Sequence, residues 1–392
     1  MSNNPLYIDI HILQSVPPSN INRDDTGSPK TAKFGGVTRA RISSQAWKKA
    51  TRDLFPDYLD EDELAYRTKH VVGLISDAIR ERMPEVSEGD AIEKAKEVLV
   101  ALGFKLKKEE NEYLNEYLIF IGTLQIGKLA ELAIQALRDG EKVDKKEAKK
   151  ILDVKRSPAL NAVDIAMFGR MVADAPDLNV DASVQVAHAI SVSSAETEFD
   201  YFTALDDKAP EDNAGAAMIE TTEFTSAMFY RYANVDVFHL CENLGSPDAA
   251  TKGINAFLQS FVKSMPTGKQ NSFANRTLPS AVVIQLRDSQ PVSLVNSFER
   301  PVVALRDKSQ LTNAAEALVA QEKALDEAFG VTPQHTFVVA ASPDASVLKE
   351  LADGDPMGLD DAVDQIVAFC SDYLSECGFR DEEREQNDSL TA

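Results

Sequence analysis

Nothing in this chain approaches the run of roughly 18 apolar residues that a membrane span requires. Cysteine is scarce, with three in 392 residues, and no Cys-x-x-Cys pair occurs. That argues against a structural zinc site or a redox dithiol. Cys241, Cys370 and Cys377 read as buried free thiols. The five histidines, His11, His70, His188, His239 and His335, are scattered without metal-ligand spacing and read as structural residues. His11 stays the open case, because it sits on the polar face of the first strand, beside a basic block. Phosphate-loop, Gly-x-Gly-x-x-Gly, His-Glu-x-x-His and Gly-x-Ser-x-Gly patterns are all missing. No enzyme, cofactor or metal is therefore expected. No signal-peptide pattern opens the sequence, and a cytoplasmic protein is expected.

Positive charge is also in short supply. Lys and Arg number 41 against 63 Asp and Glu, a formal net charge of −22. Taken whole, that balance disfavours nucleic acid, but a field is felt only within about 8–10 Å at ordinary salt. Residues 307–392 hold 19 acidic residues against five basic ones. Residues 23–52 reverse the balance: Arg23, Lys30, Lys33, Arg39, Arg41, Lys48, Lys49 and Arg52 face only Asp24 and Asp25.

Residues 5–14 alternate, with Leu6, Ile8, Ile10 and Ile12 on one side and Tyr7, Asp9, His11 and Leu13 on the other. That predicts a half-buried strand. Phe34-Gly35-Gly36 marks a tight turn. A helix is expected from the caps Ser43-Ser44, with Trp47, Ala50 and Leu54 inward and Lys48, Lys49 and Arg52 on the other side. Helices are predicted over 60–82, 91–102 and 109–138, the last from Tyr113, Leu114, Tyr117, Leu118, Ile121 and Leu124 at helical spacing. Together they read as an acidic-surfaced insertion. Residues 195–222 read as a long loop or projecting hairpin. Strands follow at 225–237, 280–286 and 335–341, and helices at 247–264, 311–329 and 358–377. The fold class is α+β with large insertions.

The basic block supplies what phosphate binding needs: cations, glycine turns and a helix N-terminus with free N–H groups. Its alternative is a solvated basic helix. Asp24-Asp25 is a candidate for holding a catalytic metal, or a turn former. Tyr201-Phe202 is a candidate for stacking on bases, or core.

At Asn22-Arg23-Asp24-Asp25, Phe34-Gly35-Gly36 and Arg41-Ile42-Ser43-Ser44-Gln45 the sequence resembles the backbone subunit of the type I-E CRISPR Cascade complex. Further matching segments are Val163-Asp164-Ile165-Ala166, Gly169-Arg170-Met171, Ala187-His188-Ala189-Ile190 and Phe202-Thr203-Ala204 with Asp206-Asp207. Glu223-Phe224, Phe229-Tyr230-Arg231-Tyr232-Ala233-Asn234, Lys269-Gln270 and Asn296-Ser297-Phe298-Glu299 complete the series. The resemblance covers about residues 6–300, in order.

It implies an RRM-like (ferredoxin-like) palm with a large helical finger insertion and a thumb loop. The divisions would be palm over 1–58, 159–194 and 225–392, finger over 59–158, and thumb over 195–224. It implies binding of CRISPR guide RNA by Arg23, Lys30, Arg41, Ser43, Gln45, Lys48, Lys49, Arg52, Lys269 and Gln270. Met171, Tyr201 and Phe202 would wedge against bases. RRM-type stacking aromatics are missing from the strands, so the RNA contacts are expected from loops and helix. The implied partners are guide RNA, the target DNA strand through the guide, other Cascade subunits, and about six copies in a head-to-tail filament. No membrane is implied. Two rival readings are a metal-dependent RNA-cleaving backbone subunit using Asp24 or Asp25, and a protein–protein scaffold.

Overall fold

The computed structural model describes residues 5–110, 112–204 and 218–380. Asp206-Asp207 and the acidic tail beyond 380 lie outside them. The first strand, β1 (Tyr7–Ser19), is longer than its alternating segment because it becomes the centre of a sheet. A hairpin of β2 (Thr31–Phe34) and β3 (Val37–Ile42) follows, then α1 (Ser44–Asp53). After an insertion, α6 (Val163–Phe168), β8 (Val184–Val186) and β9 (Ala189–Ser191) return to the sheet. β10 (Glu198–Ala204) and β11 (Met218–Asp236) form a long hairpin. The rest runs α7 (Val237–Leu244), α8 (Pro247–Lys263), a single turn α9 (Gln270–Phe273), β12 (Ala281–Arg287), α10 (Gln310–Phe329), β13 (His335–Ala340) and α11 (Leu359–Glu376).

The sheet has nine strands, ordered β13-β12-β1-β11-β9-β3-β2, with β8 and β10 also paired to β11. Its ladders are antiparallel; Ile10 stands between Ala233 and Ile284. One face presents Ile8, Ile10 and Ile12 to α1, α7, α8 and α11, in a core with Trp47, Phe257, Phe261 and Ile366. The other face is covered by α10, through Leu311, Ala314, Ala315 and Leu318. The expectation of a half-buried β1 is thereby corrected. Helix α10 covers its polar face, so Asp9 and His11 are buried.

Burying those polar groups requires partners, and the sequence supplies them in adjacent strands. Asp9 accepts from Arg287 Nε (3.0 Å), Tyr232 Oη (2.7 Å) and the Val292 amide (2.8 Å). Arg287 also pairs with Glu322 of α10 at 2.5 Å. His11 lies between Tyr230 Oη (2.8 Å) and Gln285 Oε1 (3.1 Å). It is a core residue. Burial pushes the Asp9 carboxyl up to about 6 and, with the Arg287 charge, the His11 imidazole down to about 3.

The insertion has its own core. Residues Val72, Ile75, Leu99, Leu129, Ile134 and Leu152 pack α2 (Val71–Arg82), α3 (Glu88–Leu102), α4 (Thr123–Asp139) and α5 (Lys145–Leu152) together. The predicted helix over 109–138 is only half right. Its first part forms a hairpin of β5 (Leu106–Glu109) with β6 (Glu112–Asn115), then β7 (Ile119–Gly122), which pairs with β4 (Ala65–Thr68). The same pairing cuts back the predicted helix over 60–82, which begins only at Val71. Nor is the insertion uniformly acidic: residues 142–156 carry seven Lys and Arg against three Asp and Glu. Cys241 and Cys370 are buried as expected, whereas Cys377 is only partly so. Among the described residues no helix is long and apolar enough to cross a membrane.

Candidate nucleic-acid interface

The loop from Asn20 to Lys30, between β1 and β2, is held from several sides. Asn20 donates to the carbonyls of Gly27 (3.0 Å) and Glu223 (2.9 Å). The Lys30 amide donates to Asn22, and the Arg41 amide to Lys30, each at 2.9 Å. Asn22 Oδ1 accepts from the Ser43 amide at 2.8 Å, tying the loop to the start of α1. Ser43 is the N-cap, its hydroxyl accepting from Ala46 N. The first turn of α1 thus lies beside a cationic loop, where the helix dipole also favours an anion.

Glycines set two close approaches. At Gly35, in the β2–β3 turn with φ +59°, a Cβ would collide with the Glu299 carbonyl. Arg39, wholly buried, locks the same junction by donating to Phe34, Ser191, Phe298 and Glu299 carbonyls. The Phe34-Gly35-Gly36 and Asn296–Glu299 segments, far apart in sequence, thus form one joint. At Gly268 a Cβ would collide with the Ile21 carbonyl. That approach brings Lys269, in the left-handed region at φ +50°, to the basic loop. Ile21 to Gly27 and Gly268 line a cleft of about 560 Å³.

The predicted residues divide into groups. Arg23, Lys30, Arg41, Ser43, Gln45 and Lys269 gather around the loop and the α1 start, with Gln270 opening the next turn; Arg23, Gln45 and Gln270 are exposed. Lys48 and Lys49 continue along α1. Lys48 is half-buried, its ammonium 5.5 Å from the Phe168 ring and its pKa lowered by desolvation. Lys49 is exposed and pairs with Asp53 at 2.5 Å, a contact that water and salt weaken. Arg52 turns elsewhere. It pairs with buried Asp164 at 2.9 Å and lies 4.5 Å from the Phe120 ring of β7. Burial outweighs that pairing and raises the Asp164 carboxyl to about 6. Arg39, part of the same basic block, is buried as a joint and offers no free charge.

Met171, Tyr201 and Phe202 belong to two projections. Gly169 (φ +79°) turns the chain against Val180, and Arg170 is buried, donating to Leu178, Leu152 and Gln125. Between that anchor and buried Val172, Met171 is left 86% exposed. On the β10–β11 hairpin Tyr201 is 64% and Phe202 40% exposed. Their partners are Thr221 and Glu220, so the two aromatics point to opposite faces. Neither is core. Phe199, 67% exposed and on the Tyr201 face, went unremarked in the sequence; the alternation Phe199-x-Tyr201 is the signal that would have found it. The hairpin base reaches the basic cluster through Asn20 and through Phe224 against Phe273, 6.0 Å between ring centroids.

Asp24 is a turn former. One carboxylate oxygen accepts from the Thr26 amide (2.9 Å), the Thr26 hydroxyl (2.7 Å) and the Ser28 amide (3.0 Å), which hold its pKa below the usual range. Among the described residues no group of three or more His, Cys, Asp or Glu is placed to hold a metal ion.

A mixed α+β chain with a cationic loop, a capped helix start and exposed apolar side chains on two projections can be compared with known proteins on these terms. Its fold is shared by solved structures. One, "CRISPR RNA-guided surveillance complex, pre-nicking", matches with a TM-score of 0.81 and 30% identity over 93% of this chain and 100% of that one. Another, "CRISPR RNA-guided surveillance complex", gives 0.71 and 25% over 93% and 99%. No curated protein matches. The profile of the CT1975-like protein family of Cas proteins matches residues 8–365. The chain belongs to that family.

Proposed function

We propose that the chain is the guide-RNA-binding backbone subunit of a type I-E CRISPR surveillance complex, acting in antiviral defence. In this reading the sheet and its covering helices are an RRM-like palm, residues 59–158 a finger, and the β10–β11 hairpin a thumb. Copies polymerise head to tail along one guide and present it for pairing with target DNA. Each copy meets a different stretch of guide, so the contacts are to phosphate, ribose and shape. Sequence reading is left to base pairing.

The observation that carries the reading is the loop from Asn20 to Lys30, pinned onto the N-terminus of α1 by Asn22 and Ser43. It gathers cations and free N–H groups at one place in a chain of net charge −22. The exposed aromatics of the hairpin and Met171 fit the role of wedges that splay bases. The engagement of Asp24 in its own turn favours packaging over cutting.

The test is binding of mixed-sequence single-stranded RNA by the purified chain across a salt series. The expected result is sequence-indifferent, salt-sensitive binding that leaves the RNA intact. Lys48→Ala/Lys49→Ala should weaken it and lower the salt slope by about 1.4, at roughly 0.7 per phosphate contact on a single strand. Absent or salt-insensitive binding would favour a protein scaffold. Metal-dependent cleavage lost on Asp24→Ala would favour a nuclease.

A further inference from the structure

His188 lies in the short bend between β8 and β9, exposed, on the edge where β9 pairs with β3. Its Nδ1 is 3.2 Å from Arg41 Nη1. A guanidinium only donates, so Nδ1 must accept. The neutral ring therefore carries its proton on Nε2, which has no hydrogen-bond partner among the described residues. Arg41 is itself oriented by donating from Nε to the Thr31 carbonyl at 3.1 Å. Lys30 adjoins it, since the Arg41 amide bonds the Lys30 carbonyl and both residues line one hollow with Asn22 and Ile42. Three donors thus spring from three adjacent segments: the Arg41 guanidinium, the Lys30 ammonium and His188 Nε2–H.

We propose that His188 is a further phosphate-contacting residue, its Nε2–H donating to the same guide phosphodiester that Arg41 and Lys30 neutralise. This rests on the RNA-packaging reading and adds a residue to it. The charged groups that act on the ring are Arg41 from β3 and Lys30 from the loop before β2, both cationic. Partial burial and these two charges hold its pKa below the ordinary histidine value in the free chain. A bound phosphate reverses that field and favours the imidazolium, whose protonated Nδ1 gives up the hydrogen bond from Arg41 and leaves that guanidinium N–H to the phosphate. Binding at this site is then coupled to uptake of a proton. Affinity rises as pH falls through the pKa of the bound state and levels off below that of the free state.

The experiment is anisotropy binding of mixed-sequence single-stranded RNA from pH 8 to pH 5.5 at fixed salt, for wild type, Arg41→Ala, His188→Ala and His188→Gln. Wild type should tighten with falling pH, by up to about tenfold per pH unit within the window. His188→Gln keeps a donor near the Nε2 position without titrating, so it should match wild type at pH 8 and lose that pH dependence. His188→Ala should bind several-fold more weakly at every pH and lack the dependence too. Histidine ¹⁵N spectra of the free chain should show the Nε2–H tautomer at residue 188. If His188→Ala matches wild type in affinity and pH profile while Arg41→Ala weakens binding, the inference fails and the packaging reading stands. If wild type does not bind RNA, both fail.

Discussion

Single side chains in this molecule take their roles from what covers them. His11 and His188 are the same residue type on neighbouring parts of one sheet, yet α10 seals the first and, among the described residues, the second stays exposed. In the core, Gln285 Oε1 takes a hydrogen bond from Arg287 and faces His11 Nε2, so Nε2 carries the proton and Nδ1 accepts from Tyr230. The folded state therefore holds a neutral imidazole, while the unfolded chain takes up a proton below about pH 6.5. Stability contributed by this site is present above that pH and lost as pH falls toward the folded value of about 3. The slope is on the order of 1.4 kcal/mol per pH unit. His11→Gln should cost stability at neutral pH, yet lose less on acidification between pH 6.5 and 4, as followed by urea midpoints at each pH. Equal acid slopes for the two proteins would refute this. The buried Asp9–Arg287 pair is the companion case. Removing Arg287 should cost about 3–5 kcal/mol, because Asp9 and Glu322 are both left buried without their cation.

Among the elements, α1 joins two cores. Trp47 sits in the core beneath the large sheet, while Arg52 reaches Asp164 and the Phe120 ring at the edge of the insertion. Arg52 thus acts as a strut, and its truncation has a signature distinct from losing a phosphate contact. Arg52→Ala should lower stability by on the order of 3 kcal/mol and leave the salt slope of RNA binding unchanged. Lys48→Ala should lower that slope by about 0.7. A reduced slope for Arg52→Ala would return it to the RNA contacts. From the sequence, α1, its Ser43 cap and its apolar face were legible, because caps and helical spacing are local. So were α8, α10, α11 and the strands at 281 and 335, to within a residue or so. The partner of Arg52 was not legible, since Asp164 lies 112 positions away. The predicted helix over 109–138 failed for a related reason. Tyr113, Leu114, Tyr117, Leu118 and Ile121 satisfy helical spacing, but β7 is fixed by pairing with β4, a contact that periodicity does not encode. The burial of Arg39 and His11 was hidden by the same blindness to the layer above them.

Across the whole molecule, charge is segregated: the cationic loop and α1 lie in a chain of net charge −22. Under the proposed function the acidic C-terminal region, 19 Asp and Glu against five Lys and Arg over residues 307–392, keeps stray RNA off that part of the surface. Because the proposed contacts are to backbone rather than bases, copy number should follow RNA length and not sequence. Native mass spectrometry of the chain with random RNAs of increasing length should show stepwise addition of whole copies. A fixed stoichiometry at all lengths would contradict polymerisation along the guide. Kinship with CRISPR surveillance-complex subunits was readable in the chain; the cleft formed by Gly268 against Ile21 required the fold.

The strand β11 has a mechanical consequence. It runs unbroken for 19 residues, from Val235 and Ala233 in the sheet centre out to the partners of Tyr201 and Phe202. At about 3.3 Å per residue it is a rod roughly 60 Å long, clamped at one end. Its clamped end therefore sets both the reach and the facing of the aromatics. A deletion of two residues between Phe224 and Phe229 would shorten the reach and keep the facing, whereas a deletion of one would turn Tyr201 to where Phe202 now points. Under the proposed polymerisation, the rod would act as the tooth of a gear whose pitch is cut in the core.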